Sequence, residues 1–193
     1  MTGGFVLDAQ SWTSTVTGVV ALTVAVLPLA LLAVCALAGG RIGSGVRARV
    51  AWRRSFAEVA LVYGTVPGVW LTMLPGGPAE YAAVSLEPLR DLATMSTFQV
   101  VGNLLLLAAL GFFAPVRFAG LATFPRVVLL AGAVSTLIEV MQHVLELGRV
   151  SSVDDILLNT AGATIAATLS WPWWARRRRP IPEPRPLAPL ARR

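Results

Sequence analysis

The sequence predicts an all-α, polytopic membrane bundle of five transmembrane helices, with the N-terminus outside and the C-terminus cytoplasmic. Three observations carry this. Hydrophobic residues make up 55% of the 193-residue chain and the mean hydropathy is +0.70, which is more apolar surface than one soluble core hides. The apolar residues gather in five runs of the length that crosses a hydrocarbon core as helix, and none alternates strictly as a membrane barrel strand would. Every basic residue is arginine, and the arginines fall in alternate segments between the runs.

The runs are residues 16–38, 56–74, 98–115, 127–147 and 153–171. The first three are almost purely apolar, and the last two carry acids and amides but keep the length and the Leu, Ala and Val content of helices. Arg41, Arg47, Arg49, Arg53 and Arg54 occupy the first loop, Arg117 and Arg126 the third, and Arg176, Arg177, Arg178 and Arg179 the tail, so these segments are expected in the cytoplasm. Asp8 before the first run, Glu80, Glu87 and Asp91 against Arg90 in the second loop, and Arg149 in the fourth are expected outside. Trp52, Trp171, Trp173 and Trp174 sit where indoles prefer the headgroup level.

Residues 1–175 are expected to form the bundle and residues 176–193 a disordered, basic, Pro-rich cytoplasmic tail that touches anionic lipid. The second loop has room for a short amphipathic segment on the outer surface. "ALAG" at 36–39 has the look of a signal-peptidase site, but no basic residue precedes the run and cleavage would leave five arginines outside. "GGRIGSG" lacks the Lys-Ser/Thr of a phosphate loop and reads as a linker. Basic residues placed between apolar runs argue for membrane orientation and against a nucleic-acid partner. The single Cys35 has no internal partner for a disulfide.

The stretch 135–162 is where the chemistry gathers. Glu139, Gln142, His143 and Glu146 have the three- and four-residue spacing of one helix face, and Asp155, Asn159 and Gly162 share a face of the next helix. A short turn at 148–152 makes the two helices antiparallel neighbours, and their polar stripes should face each other, because a carboxylate facing lipid costs several kcal/mol. At 1.5 Å per residue Glu139 lies about 12 Å below the outer end of its helix, and Asn103 and Asn159 lie one to two turns in from the same side. A carboxyl at the depth of Glu139 is either protonated or paired with Arg149. Each residue also has a plainer reading. Ser152 and Asp155 fit a capping box, Asp154 reads as a solvated first-turn acid, Glu146 as a partner of Arg149, and His143 as a hydrogen-bond partner of Glu139. Asn103 and Asn159 suit interhelical hydrogen bonds, Gly111 and Gly162 suit close helix contact, and Glu58 can snorkel toward the cytoplasmic surface with no further role. No HExxH and no Cys pair occurs, so no metal or other cofactor is predicted.

These residues carry a resemblance. The pattern SxxxExxQ…R…DDxxxNxxG, here Ser135, Glu139, Gln142, Arg149, Asp154, Asp155, Asn159 and Gly162, is similar to the signature of the VanZ-like family of small bacterial membrane proteins. Asn103 and Gly111 in "GNLLLLAALGF" extend it upstream. Leu107 and Ala109 stand where the family usually has Phe and Pro, and Ala166 where a second Gly is common. The resemblance covers residues 98–170 and implies a multi-pass protein of the bacterial cytoplasmic membrane associated with resistance to the glycopeptide teicoplanin.

Two functional classes follow, beside a purely structural bundle. In the first, Asn103, Gln142, His143, Arg149 and Asn159 bind the headgroup of a membrane lipid or lipid-linked cell-wall precursor, or limit access of a lipoglycopeptide, with Arg149 holding an anionic group. In the second, an intramembrane enzyme acts on such a headgroup, with Glu139 and Asp155 as catalytic acid or base.

Overall fold

The computed structural model describes residues 15–76 and 83–175. Asp8, Glu80 and the tail expected at 176–193 lie outside the described residues. Helix α1 spans Val16–Gly43 and α2 spans Ala48–Thr72. A three-residue strand β1, Ala83–Ser85, precedes α3, Thr97–Leu106, and α4, Ala108–Arg117. A 3-10 turn, Ala119–Leu121, leads into α5, Phe124–Val144, then β2, Val150–Ser152, and α6, Val153–Trp174.

Local sequence explains the starts. Thr15, Ser96, Thr123 and Ser152 cap α1, α3, α5 and α6 through side-chain oxygens that accept otherwise orphaned backbone N–H groups. Ser96 and Gln99 form a reciprocal capping box. The α5 helix ends in a reversal in which Glu146 and Gly148 both have positive φ, 49° and 62°. α3 and α4 form one rod broken at Leu107, where φ −106° and ψ 12° leave the helical range.

Counting that rod once, five helical segments stand in the described part, three of which are long and apolar enough to cross a membrane: α1, the α3–α4 rod and α5. α2 and α6 have the length, but Arg53, Arg54 and Glu58 in one and Asp154, Asp155 and Asn159 in the other lower their hydropathy. Helix ends also differ from the sequence expectation. α1 runs on through Arg41 to Gly43, α2 starts eight residues early among its arginines, and α5 stops at Val144.

Helix α6 is the hub, packing on α3, α4 and α5, while α1 lies against α2, which in turn packs on α4. Small residues permit this. A Cβ added to Gly162 would stand 1.8 Å from the Leu104 carbonyl oxygen, and one added to Gly111 would stand 2.0 Å from that of Ala163. Backbone therefore meets backbone at both points, as helices in lipid often do. Leu107, Ala131, Ile138 and Ala163 fill the core on one side of these contacts, and Ala57, Val116, Ala122 and Trp174 on the other.

One end of the bundle is tied by a charge cluster that no local sequence pattern reveals. Glu58 accepts from Arg41 of α1 and from Arg117 of α4, joining three helices, and Arg41 also donates to Ser55. All three ionic side chains are about three-quarters buried, so Glu58 is a structural tie and not a free snorkelling acid. Trp174 is buried as well, donating through Nε1 to Ser170 Oγ at 3.0 Å and packing edge-on against Phe124 and Trp171, while Trp171 and Trp173 remain half-exposed.

At the opposite end β1 and β2 pair in parallel, Ala83 with Val150 through Ser85 with Ser152. The residues expected as a simple turn at 148–152 are thus half of a two-stranded ribbon. The Val-Ser-Ser of β2 does not stand out as a strand in so short a stretch.

The backbone contact at Gly162 makes a sharp test. Gly162→Ala should lower the thermal stability of the purified protein in detergent by about 2 kcal/mol or more, because a backbone neighbour must move. Gly102→Ala, where no atom lies within 4 Å of the new Cβ, should leave it unchanged or slightly raised.

Candidate functional site

Between the C-terminal ends of α2 and α5 and the N-terminal ends of α3 and α6 lies a cavity of about 400 Å³. Its position follows from the antiparallel packing: the two helix starts and two helix ends converge at the pole away from Glu58. Asn103, Glu139, Gln142, Arg149, Asp155 and Asn159 all line it. Asp91, Gln99, Ser152, Thr72 and Gly76 line it too, and these were not among the sequence candidates.

Each wall is fixed by its own hydrogen bonds. On α6, Asn159 Nδ2 donates to Ser135 Oγ of α5 at 2.8 Å, while its Oδ1 is buried with no hydrogen-bond partner. Asp155 accepts from Asn103 Nδ2 of α3. On α5, Glu139 Oε2 accepts from the Ser152 backbone N–H at 3.1 Å, and the Glu139 carbonyl accepts from Ser151 Oγ at 3.0 Å. Gln142 Nε2 donates to the Thr72 carbonyl at 2.9 Å, satisfying one of the orphan carbonyls at the end of α2.

Arg149 closes the rim. Its Nε donates to the Leu74 carbonyl at 3.1 Å, and its stem packs so closely on Gly76 that a Cβ there would come within 2.6 Å of Arg149 Cγ. Gly76 in turn donates to the Leu147 carbonyl at 2.8 Å. Arg149 forms no ion pair with any described acid, and its terminal nitrogens have no hydrogen-bond partner among the described residues. The expected Glu146–Arg149 pair does not form. Glu146 takes up the positive φ that turns the chain, and the arginine is held from the α2 side instead.

The two neighbouring acids on α6 do different work, because successive residues on a helix point about 100° apart. Asp155 faces the cavity, whereas Asp154, expected as a solvated acid, is buried and turned toward the second loop. Its Oδ1 accepts from Leu89 N at 2.5 Å and its Oδ2 from Asp91 N and Leu92 N, both at 2.9 Å. Leu89 has φ 67°, a left-handed conformation that costs about 1–2 kcal/mol. A carboxylate accepting three backbone N–H groups offsets that. The cap is likewise not the expected Ser152–Asp155 box: Ser152 Oγ accepts from Asp154 N at 3.1 Å and donates to Asp91 Oδ2 at 2.7 Å. Hydrogen bonds from Ser85 and Ser152 hold the Asp91 carboxyl below the ordinary aspartate range.

His143 falls elsewhere. It is exposed and borders a separate apolar cleft under β1 and β2, beside Val84, Leu86 and Val140, and it makes no hydrogen bond to Glu139. The stripe read on α5 therefore splits, with Glu139 and Gln142 buried toward the cavity and His143 and Glu146 exposed. Among the described residues no group of three His, Cys, Asp or Glu side chains is arranged to hold a metal ion. What the cavity offers is one cationic fork at its rim and carboxylate and amide oxygens along its walls.

A family model described as VanZ/LLP1 matches residues 44–175, which takes in α2 to α6 and every residue lining the cavity. No curated protein and no solved structure matches the chain.

The Asp154 contacts generate a direct expectation. Asp154→Asn replaces a carboxylate that accepts from three N–H groups with an amide that has one acceptor oxygen. Hydrogen exchange of the Asp91 and Leu92 amides should quicken by roughly 10- to 100-fold, with little change in the interior of α6. Unchanged protection at 89–92 would remove Asp154 as the anchor of that loop.

Proposed function

Because the chain belongs to the VanZ/LLP1 family, we propose that it is a multi-pass protein of the bacterial cytoplasmic membrane whose polar cavity opens outward and binds the headgroup of a lipid or lipid-linked cell-envelope precursor, contributing to tolerance of teicoplanin-like lipoglycopeptides. The observation that carries this reading is Arg149. Its guanidinium is held by one nitrogen on the Leu74 carbonyl, leaves its terminal donors unpaired, and lines a 400 Å³ cavity. A planar fork presented in this way suits a phosphate or carboxylate. The size of the cavity fits a headgroup, falling within the usual range for small-molecule sites.

The outward direction rests on charge. Arg41, Arg47, Arg49, Arg53, Arg54, Arg117 and Arg126 all belong to the Glu58 pole, and the cavity is at the other, where the described basic residues are Arg90 and Arg149. The positive-inside bias then puts the Glu58 pole in the cytoplasm. In this arrangement α2 and α6 cross the membrane with the other three rods, their polar groups turned onto Arg41 and Arg117 at one end and into the cavity at the other. The N-terminus is outside and the C-terminus inside. Protection against a lipoglycopeptide follows if the occupied cavity withholds or alters a headgroup that the antibiotic needs at the outer surface.

Two measurements test this. In a host with measurable teicoplanin tolerance, Arg149→Ala should abolish the protection, and lipid co-purifying with the full chain by native mass spectrometry should fall roughly 10- to 100-fold, the worth of charge-assisted hydrogen bonds to an anion. Wild-type protection by that variant at equal expression sinks the headgroup reading. A reporter fused after Arg179 should be cytoplasmic, and an external signal would overturn the outward direction of the cavity.

A further inference from the structure

The cavity's charges are unequal, and this specifies its ligand beyond a generic headgroup. Resting on the reading above, we propose that the ligand is a zwitterion: an anionic group, phosphate or carboxylate, held by Arg149 at the rim, and a primary ammonium, rich in N–H donors, received by Glu139, Asp155 and Asn159 on the inner walls.

The inner walls are acceptors. Glu139 uses one carboxyl oxygen on the Ser152 N–H and has no described donor on the other. Asp155 uses one on Asn103 and has none on the other. Asn159 is 1% exposed, commits its Nδ2 to Ser135, and leaves Oδ1 buried without a donor. An orphaned amide oxygen in that position bears its full desolvation penalty unless something donates to it. Three oxygens that lack donors, two of them on carboxyls that Arg149 leaves without a cation, match the three N–H bonds of an ammonium in number. An anion alone satisfies Arg149 and leaves all three unmet. A quaternary ammonium supplies charge without a donor and leaves Asn159 orphaned.

The order of groups is also set. Arg149 comes from the segment between α5 and β2, and is tied to Leu74 and Gly76 at the end of α2, so the anion lies at the rim. Asn159 is two turns into α6 from its cap at Ser152, so the donor-rich end lies deeper. A phosphoethanolamine headgroup turned into the cavity, with its phosphate at the rim and its ammonium inward, has this polarity, and so does soluble phosphoethanolamine, so the shared chemistry is the ammonium linked to an anion.

Full-length protein in nanodiscs should be titrated, with native mass spectrometry as readout, with phosphatidylethanolamine, phosphatidylcholine and phosphatidylglycerol of identical acyl chains. The ethanolamine lipid should bind roughly tenfold or more tightly than the other two. Free phosphoethanolamine is then added as competitor. Displacement assigns the chemistry to a soluble zwitterion and retention to the lipid headgroup, and both outcomes support the ammonium assignment. Asp155→Asn, which keeps an acceptor oxygen for Asn103, should erase the preference while anionic lipid still binds, and Glu139→Gln gives a second variant should the first fail to fold. Phosphatidylglycerol bound as tightly as phosphatidylethanolamine overturns the ammonium assignment and leaves the headgroup reading standing. No lipid whose binding depends on Arg149 overturns both.

Discussion

Gly162 and Gly111 bring the backbone of α6 against the backbone of α3 and α4, and the rest of the polar pole depends on how close that approach is. In lipid there is little hydrophobic gain in pressing two apolar helices together, so association relies on dispersion contact and on polar groups finding each other. With backbone touching backbone, short side chains are long enough to bridge. Asn103 of α3 reaches Asp155 of α6. Had these helices stood apart at the separation larger residues impose, Asn103 would face a gap and the Asp155 carboxyl would need water or a lipid headgroup as partner. The glycines thus make this polar pair affordable and set the distance between α3 and α6 at the cavity.

A second layer of contacts holds the loops to that frame. Glu139 takes the Ser152 N–H, Ser152 joins Asp91 and Asp154, and Asp154 gathers the N–H groups of residues 89, 91 and 92. The β1–β2 pairing closes the same ring from the other side. The cavity rim is therefore built of loop backbone whose donors end on buried carboxylates. Any account of Glu139 or Asp154 as ligand-binding groups must subtract this structural duty, which Asp155 and Arg149 bear to a smaller degree.

Much of this was legible in the sequence because it rests on periodicity. The helix runs, the antiparallel pairing of α5 with α6, and the meeting of Asn103, Glu139, Gln142, Arg149, Asp155 and Asn159 at one level all follow from a rise of 1.5 Å and a repeat of 3.6 residues. What escaped is what depends on direction around the axis or on distant loops. His143 and Gln142 are adjacent on the chain, and only packing decides that one faces inward and the other out. Asp154 and Asp155 present the same problem. From sequence Glu58 looks like a surface acid because its partners, Arg41 and Arg117, are 17 and 59 residues away and no local pattern joins them. In the sequence Asp91 is one of several loop charges, since its place at the cavity is created by Asp154 and Ser152 and not by its neighbours in sequence.

The break at Leu107 separates a local cause from a tertiary one. A proline near this point would account for a kink by removing a backbone N–H, and the family resemblance includes one where this chain has Ala109. The break is present without it. Nothing in the local residues "NLLLLAAL" forbids a continuous helix, as Leu and Ala are among the best helix formers. The neighbouring contact is the one between Gly162 and the Leu104 carbonyl, three residues before the break. A helix pressed at its carbonyl face by another backbone loses room for regular bonds in the following turn, and a Cα–H group of the glycine can meet the carbonyl instead. Close packing thus bends the rod in a chain with no proline there. The geometry of the α3–α6 contact is then the more basic feature, because it fixes the angle at which Asn103 enters the cavity.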